Sequence, residues 1–299
     1  MKGFKSGFVA IVGRPNVGKS TLLNYVVGQK IAIITPKPQT TRNRILGILN
    51  RADGQYIFID TPGIHQPRKL LNRYMVAQAK HTFYDSDIIL FLVDATEGYG
   101  KEEELIVNAL RNSSVPVLLV INKRDLVNQE RIQGIRDEFV NLLKFHKVFS
   151  ISALTGDGVE DVLMALGELL PEGPPYFPED MVTDRTERFI AAEIIREKIM
   201  LLTRQEVPYA VAVLVDTFKE NEQKGILHIG ASIIVEKDSQ KGIIIGKGGN
   251  LLKKIGTESR LALEEFFAIH VYLELFVKVR KDWTKNAHFL KELGYGEKS

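Results

Sequence analysis

The chain has 299 residues, 44% of them hydrophobic and 26% charged, which is enough for two ordinary domains with buried cores and rules out a disordered chain. It contains no cysteine, so disulfides, thiolate metal sites and cysteine nucleophiles are excluded, as suits a reducing compartment. A net charge of +3 does not announce a nucleic-acid partner, the six histidines show no pair at ligand spacing, and no apolar run approaches the roughly 20 residues that cross a bilayer.

In chain order, residues 8–12 are a short apolar run suited to a buried parallel strand, preceded by too little apolar sequence for a signal peptide. Residues 20–27 read as a helix stopped at Gly28. Between them, Gly13-Arg14-Pro15-Asn16-Val17-Gly18-Lys19-Ser20 matches G-x-x-x-x-G-K-[ST], the phosphate loop of P-loop NTPases. Its glycines let successive N–H groups converge on phosphate, and the helix N-terminus adds its dipole. Lys19 is placed for the β- and γ-phosphates and the Ser20 hydroxyl for Mg²⁺, with Thr21 next on the same helix.

Residues 35–42 are polar and proline-punctuated and read as a mobile loop. Strands are predicted at 45–49 and 55–60 across a hairpin turn at 52–54. The second runs into Asp60-Thr61-Pro62-Gly63, where the carboxylate is placed for the magnesium shell and the Gly63 N–H for a γ-phosphate. A helix at 68–82, a strand at 88–94, a helix at 101–112 and a strand at 115–121 then alternate as in a doubly wound sheet. That last strand meets Asn122-Lys123-Arg124-Asp125, whose Asp125 can accept from both N1–H and the exocyclic amine of guanine and has no such partners on adenine. A helix at 129–145 and a strand at 148–151 lead to Ser152-Ala153-Leu154, whose backbone N–H groups suit guanine O6. This order favours GTP over ATP.

The segments 13–20, Thr41, 60–63, 122–125 and 152–154 are similar to the five G-motifs of the translation-factor-related GTPases. Gly-Arg-Pro-Asn-Val-Gly-Lys-Ser, Gln-Thr-Thr-Arg and Asp-Thr-Pro-Gly-Ile together resemble the Era-like branch. The resemblance implies GTP and GDP as ligands, a Mg²⁺ set of Ser20, Thr41 and Asp60, and catalytic roles for Lys19, Thr41, Gly63 and Asn16. It makes Thr41 rather than Thr40 the switch residue. Ile64 stands where Ras-like enzymes carry the glutamine that orients water, so slow hydrolysis is expected. Asn16 matches the asparagine with which related GTPases bind K⁺, and a merely bracing role in the loop is the equal alternative.

A helix at 158–170 closes a GTPase domain over 1–172, and four of the eleven prolines fall within 171–178, so 173–182 reads as a semi-rigid linker. Residues 183–299 then give a helix at 187–204, strands at 209–217 and 226–235 around a polar turn at 219–225, Gly246-Lys247-Gly248-Gly249, a helix at 251–267 and a strand at 271–279. This order resembles a type II KH domain. The expected fold is thus α/β, a doubly wound P-loop NTPase sheet, followed by an α+β KH domain.

Glycines around one lysine between helix ends let a nucleic-acid backbone approach closely. Between 241 and 260 five basic residues (Lys241, Lys247, Lys253, Lys254, Arg260) face one acid, Glu258. The candidate RNA contacts are Ile245, Gly246, Lys247, Gly248, Gly249, Lys253 and Lys254, with Lys278, Arg280 and Lys281 from the basic tail. Trp283 reads as a packing residue. The resemblance implies a cytoplasmic monomer that binds the 3′ end of 16S rRNA and assists 30S subunit assembly, with peripheral association at the inner membrane. The competing reading is a signalling GTPase whose C-terminal domain docks a protein or membrane surface.

Overall fold

The computed structural model describes residues 3–63, 71, 74–75, 82, 85–111, 113–293 and 295. They fall into two units, the first drawn from residues up to Ala32 and from 41 to 184, the second from Ile33–Thr40, Leu71 and the chain from Arg185 onward.

The first unit is built on six strands, β1 (Lys5–Val12), β2 (Ile45–Arg51), β3 (Gly54–Asp60), β4 (Ile88–Asp94), β5 (Val117–Asn122) and β6 (Lys147–Ser150), in the order β2-β3-β1-β4-β5-β6. Only β2 runs antiparallel, to β3. Strands β3, β4 and β5 are buried at every position, which is why they read as unbroken apolar runs instead of alternating ones. The helices are α1 (Lys19–Val27), α2 (Lys101–Leu110), α3 (Gln129–Val140) and α4 (Val159–Leu169). After β1 the strand order departs in opposite directions, to β3 on one side and β4 on the other, so a crevice opens beyond the carboxyl ends of these strands.

Two features differ from expectation. Helix α3 stops at Val140, short of 145, because the N–H groups of Leu142 and Leu143 both return to the carbonyl of Phe139, and Leu142, Leu143 and Phe145 turn in against the core around Phe91. Residues 35–42 are irregular as expected, yet Thr35, Thr40, Thr41 and Arg42 are buried, so polarity and proline marked the absence of regular structure but not exposure. Of the helix expected at 68–82, only Leu71, Tyr74, Met75 and Thr82 are described, all helical.

The proline-rich stretch expected to act as a linker lies along β2 and β3 within the first unit. Ile48 N–H donates to Val182 O at 2.9 Å, and Phe177 and Met181 pack on Leu46, Ile48, Ile57 and Ile59. Gln55, fully buried, holds it: its Oε1 accepts from the N–H groups of Tyr176 at 2.8 Å and Phe177 at 3.0 Å, and its Nε2 donates to Phe177 O at 2.8 Å.

The second unit contains α5 (Glu187–Leu202), β7 (Ala212–Asn221), β8 (Ile226–Val235), α6 (Asp238–Ile245), α7 (Asn250–Phe267), β9 (His270–Val279) and the short α8 (Ala287–Glu292). Its sheet has the order β7-β8-β9, antiparallel and then parallel. The first strand begins at Ala212, not 209, because Val207–Tyr209 wind into a 3₁₀ turn. It also runs through part of the expected turn, since Lys219, Glu220 and Asn221 pair with His228, Leu227 and Ile226 beyond a bulge at 215–217. Ile194 and Ile199 of α5, Ile229 and Ile233 of β8, and Ile255 and Leu263 of α7 form the core. Trp283 is fully buried, its Nε1–H donating to Ala210 O at 3.0 Å, and is therefore a packing residue.

Segment 33–40 packs within this unit. Arg196, buried and paired with Glu193 at 2.5 Å, donates to Thr40 O at 2.6 Å, and Glu197 accepts from Ile34 N–H at 2.9 Å. Lys37 Nζ donates to the carbonyls of Met200 and Thr203 at the C-terminus of α5.

Replacing Gln55 with Ala strands three main-chain groups of the strap. The expected loss is about 2–3 kcal/mol of stability in urea unfolding of the full chain, with faster proteolysis within 173–184.

Candidate nucleotide site and nucleic-acid groove

The phosphate loop joins β1 to α1. Gly18 takes φ of 100°, and a Cβ there would lie 2.2 Å from Asn122 Nδ2, so this position admits no side chain. Val17 is buried, while Asn16 is exposed with φ of 65°. Lys19 is buried and its ammonium donates to the carbonyls of Gly13 at 3.1 Å and Arg14 at 2.8 Å, curling the loop around it. Burial lowers the Lys19 pKa to about 8, although the charge of Asp60 opposes the shift. Thr21 is half-buried in the first turn of α1. The Arg14 side chain leaves the loop to pair with Glu97 and Glu103 at 2.7 Å each.

Ser20, Thr41 and Asp60 meet beside this loop. Ser20 Oγ donates to Asp60 Oδ2 at 2.6 Å, lies 2.9 Å from Thr41 Oγ1, and Thr41 Oγ1 is 3.4 Å from the same carboxylate oxygen. Asp60 is fully buried, and burial pushes its pKa up against the pull of Lys19 and the two hydroxyls. Its other oxygen, Oδ1, is buried with no side-chain partner among the described residues. Two hydroxyls and a buried carboxylate are the hard oxygen donors that Mg²⁺ takes, so these residues fit that ion. Thr40 instead bonds Thr35 Oγ1 and Lys37 O, both at 2.7 Å. Thr61 ties β3 to β1 through Ile11 O at 2.9 Å, Pro62 is buried, and Gly63 passes so near Pro15 that a Cβ would lie 2.6 Å from its nitrogen. Ile64 lies outside the described residues.

The base-side loops are braced by Asn122. Its Nδ2 donates to Val17 O at 2.7 Å and its Oδ1 accepts from Ala153 N–H at 2.9 Å, so one buried side chain ties three loops together. Of the three amides expected to meet guanine, Ser152 N–H is bonded to Asp157 O at 2.9 Å and Ala153 N–H to Asn122, while Leu154 N–H has no intramolecular partner among the described residues. Asp125 is exposed and its carboxylate has no partner among the described residues. Lys123 bonds Asp94 Oδ2 at 2.5 Å. Asp94 belongs to no motif read from the sequence; only its place at the end of a fully apolar strand marks it.

In the second unit, Gly246-Lys247-Gly248-Gly249 links α6 to α7, with φ of 72°, 61° and 80° at the three glycines. Beside it lies a groove of about 460 Å³ between α7 and β9, lined by Gly249, Leu252, Lys253, Gly256, Arg260 and Leu275 among others. Ile245 is half-buried at the end of α6, and Lys247 and Lys253 are exposed with no ion pair among the described residues. Lys254 is 3.8 Å from Glu258.

The tail residues do not join this groove as expected. Side chains alternate along β9, so Lys278 lies on the opposite face from Leu273 and Leu275, 3.8 Å from Asp216. Arg280 covers the Phe289 ring at 3.7 Å, and Lys281 is exposed beyond the strand. Arg260 lines the groove, and its basic charge was the signal for it.

Residues 8–123 match the family described as "50S ribosome-binding GTPase", and residues 206–284 match the KH domain family. The chain is 56% identical to GTPase Era of Syntrophus aciditrophicus over 294 residues, covering 98% of this chain and 96% of that one. It is 54% identical to GTPase Era of Geobacter metallireducens over 296 residues, 98% of each. A variant of Aquifex aeolicus Era bound to GDP·AlF₄⁻ has a TM-score of 0.94 at 44% identity, covering 98% of this chain and 100% of that one. A structure of Era in complex with MgGDPNP and nucleotides 1506–1542 of 16S ribosomal RNA has a TM-score of 0.93 at 44% identity with the same coverage.

Lys19 gives a pH signature. With its pKa lowered to about 8 in the free site, the ammonium is charged at pH 7 and increasingly neutral above 8, whereas bound phosphate demands the charged form. Nucleotide affinity should therefore fall as pH rises past this value, by up to about tenfold per unit. Calorimetry at pH 8.5 in buffers of different ionisation enthalpy should show uptake of about half a proton or more on GDP binding, and almost none at pH 7.

Proposed function

Because the chain belongs to the Era family of GTPases, we propose that it binds GTP with Mg²⁺, hydrolyses it to GDP and phosphate, and holds the 3′ end of 16S rRNA beside Gly246–Gly249 while the 30S subunit is assembled. The observation that carries this reading is the meeting of Ser20, Thr41 and Asp60 at the phosphate loop of a chain whose second unit presents a glycine loop and groove. Lys19 and the loop amides would hold the β- and γ-phosphates, Gly63 would offer its N–H to the γ-phosphate, and Asp125 with Leu154 N–H would select guanine. Ser20, Thr41 and Asp60 would hold Mg²⁺, whose charge would neutralise the bound phosphates. An aliphatic residue at 64 leaves the attacking water without the side chain that Ras-like enzymes use, so turnover is slow until switch backbone, a partner or K⁺ near Asn16 supplies the positioning.

The switch follows from chain continuity. Segment 33–40 is anchored within the RNA-binding unit through Arg196 and Glu197, and Thr40 is bonded directly to Thr41, the residue that senses the γ-phosphate. A change at Thr41 therefore passes into that unit along the main chain. In this role the protein acts in the cytoplasm as a monomer, with peripheral contact at the inner membrane. Among the described residues no helix is long and apolar enough to cross a membrane.

The test is binding of the full chain to a labelled RNA matching the 16S 3′ end, with GDP and with a non-hydrolysable GTP analogue, at two salt concentrations. Binding about tenfold tighter with the analogue, retained at higher salt and lost with a scrambled RNA, is expected. Lys247→Ala should weaken it severalfold without altering GTP affinity. Equal, salt-sensitive binding of both RNAs in both states would overturn the RNA role and leave a GTPase with another partner.

A further inference from the structure

Between the phosphate loop and the base loop sits a carboxylate to which the motifs assign no role. Asp94 ends β4 and is 2% exposed. Its Oδ1 accepts from Thr96 N–H at 2.9 Å and from the Thr96 hydroxyl at 2.6 Å. Its Oδ2 accepts from Lys123 Nζ at 2.5 Å and stands 3.6 Å from the Arg14 guanidinium. One buried side chain thus engages the loop that holds phosphate and the loop that selects the base.

The conformation of Lys123 shows what the contact does. It has φ of 66°, in the left-handed region that a residue with a Cβ rarely adopts, and it stands between Asn122 and Asp125 at the point where β5 ends and a 3₁₀ turn begins. This turn fixes the direction in which Asp125 leaves the strand. Tying the far end of the Lys123 side chain to a carboxylate that is itself fixed by Thr96 holds the strained turn in one form before nucleotide arrives. Arg14, braced by Glu97 and Glu103 at 2.7 Å each, is held against the same carboxylate, which fixes the start of the phosphate loop. Asn122 ties the base loop to the phosphate loop at Val17, and Asp94 adds a second tie nearer that loop's beginning.

We propose that Asp94 is a positioning residue for guanine nucleotide: through Lys123 it aims Asp125 at the base, and through Arg14 it sets the spacing between the base loop and the phosphate loop. This rests on the assignment of Asp125 as the guanine-selecting residue. That assignment is checked separately by Asp125→Asn, which should exchange guanine for xanthine preference whatever Asp94 does.

The test uses Asp94→Asn, which keeps the shape and the Thr96 bonds but removes the charge that holds Lys123. In the full chain, the dissociation constant for GDP should rise about tenfold. Discrimination between GDP and IDP, which lacks the exocyclic amine, should shrink about threefold or more. KM for GTP should rise while kcat changes less than about twofold. A double-mutant cycle identifies the route: combined with Lys123→Met, Asp94→Asn should cost clearly less than it does alone. Should Asp94→Asn fail to fold, Lys123→Met reports the same pair from its exposed end and should itself reduce the GDP-to-IDP ratio. An unchanged ratio, or a full additive penalty in the double variant, would reduce Asp94 to a cap for Thr96 and overturn the proposal.

Discussion

Much of the first unit is arranged around a fully buried carboxylate, Asp60. A charge removed from water is costly unless it is paired and hydrogen-bonded, and here the compensation comes from three side chains on two pieces of chain. Ser20 comes from the start of α1, Thr41 from the segment before β2, and the Lys19 charge from the phosphate loop. The parallel register of β1 with β3, which sets Ile11 opposite Asp60, brings the end of β3 level with that loop. Compensation is incomplete, since Oδ1 finds no side-chain partner among the described residues, and a buried carboxylate beside two hydroxyls indicates a site built for a cation.

The same economy recurs on the base side. Asn122 satisfies groups on two other loops, so selectivity for the base and grip on the phosphates rest on one set of buried polar bonds. Such networks are rigid when complete, and next to this one the chain at 33–40 belongs to the second unit. Rigidity where the ligand is recognised and a covalent hand-over where its γ-phosphate is sensed suit a switch better than a constitutive hydrolase.

Much of this was legible in the sequence because the chemistry is local. Phosphate binding needs a glycine-rich strand-to-helix turn, and 13–20 states it in eight consecutive residues. The strand at 88–94 is recognisable end to end because both faces are buried. What escaped depends on contacts distant in sequence. Prolines at 171–178 marked irregular chain correctly, but contacts from residues more than a hundred positions earlier, Gln55 and Ile48 among them, lay that chain along the first unit. The basic tail was read by charge alone, and strand alternation then sent Lys278 to the other face of the sheet. Asp94 was marked only by its place at the end of an apolar strand, because its pairing with Lys123 is made across neighbouring strands.

The central proposal is that Ser20, Thr41 and Asp60, which already meet at the phosphate loop, form the Mg²⁺ set, with Thr41 as the member that reports the γ-phosphate. The most direct measurement is Mg²⁺ affinity of Thr41→Ala against the unaltered chain, with GDP bound and with a non-hydrolysable GTP analogue bound. The account predicts about tenfold weaker Mg²⁺ binding in the variant with the analogue and no change with GDP. Equal loss in both states, or none in either, would contradict it.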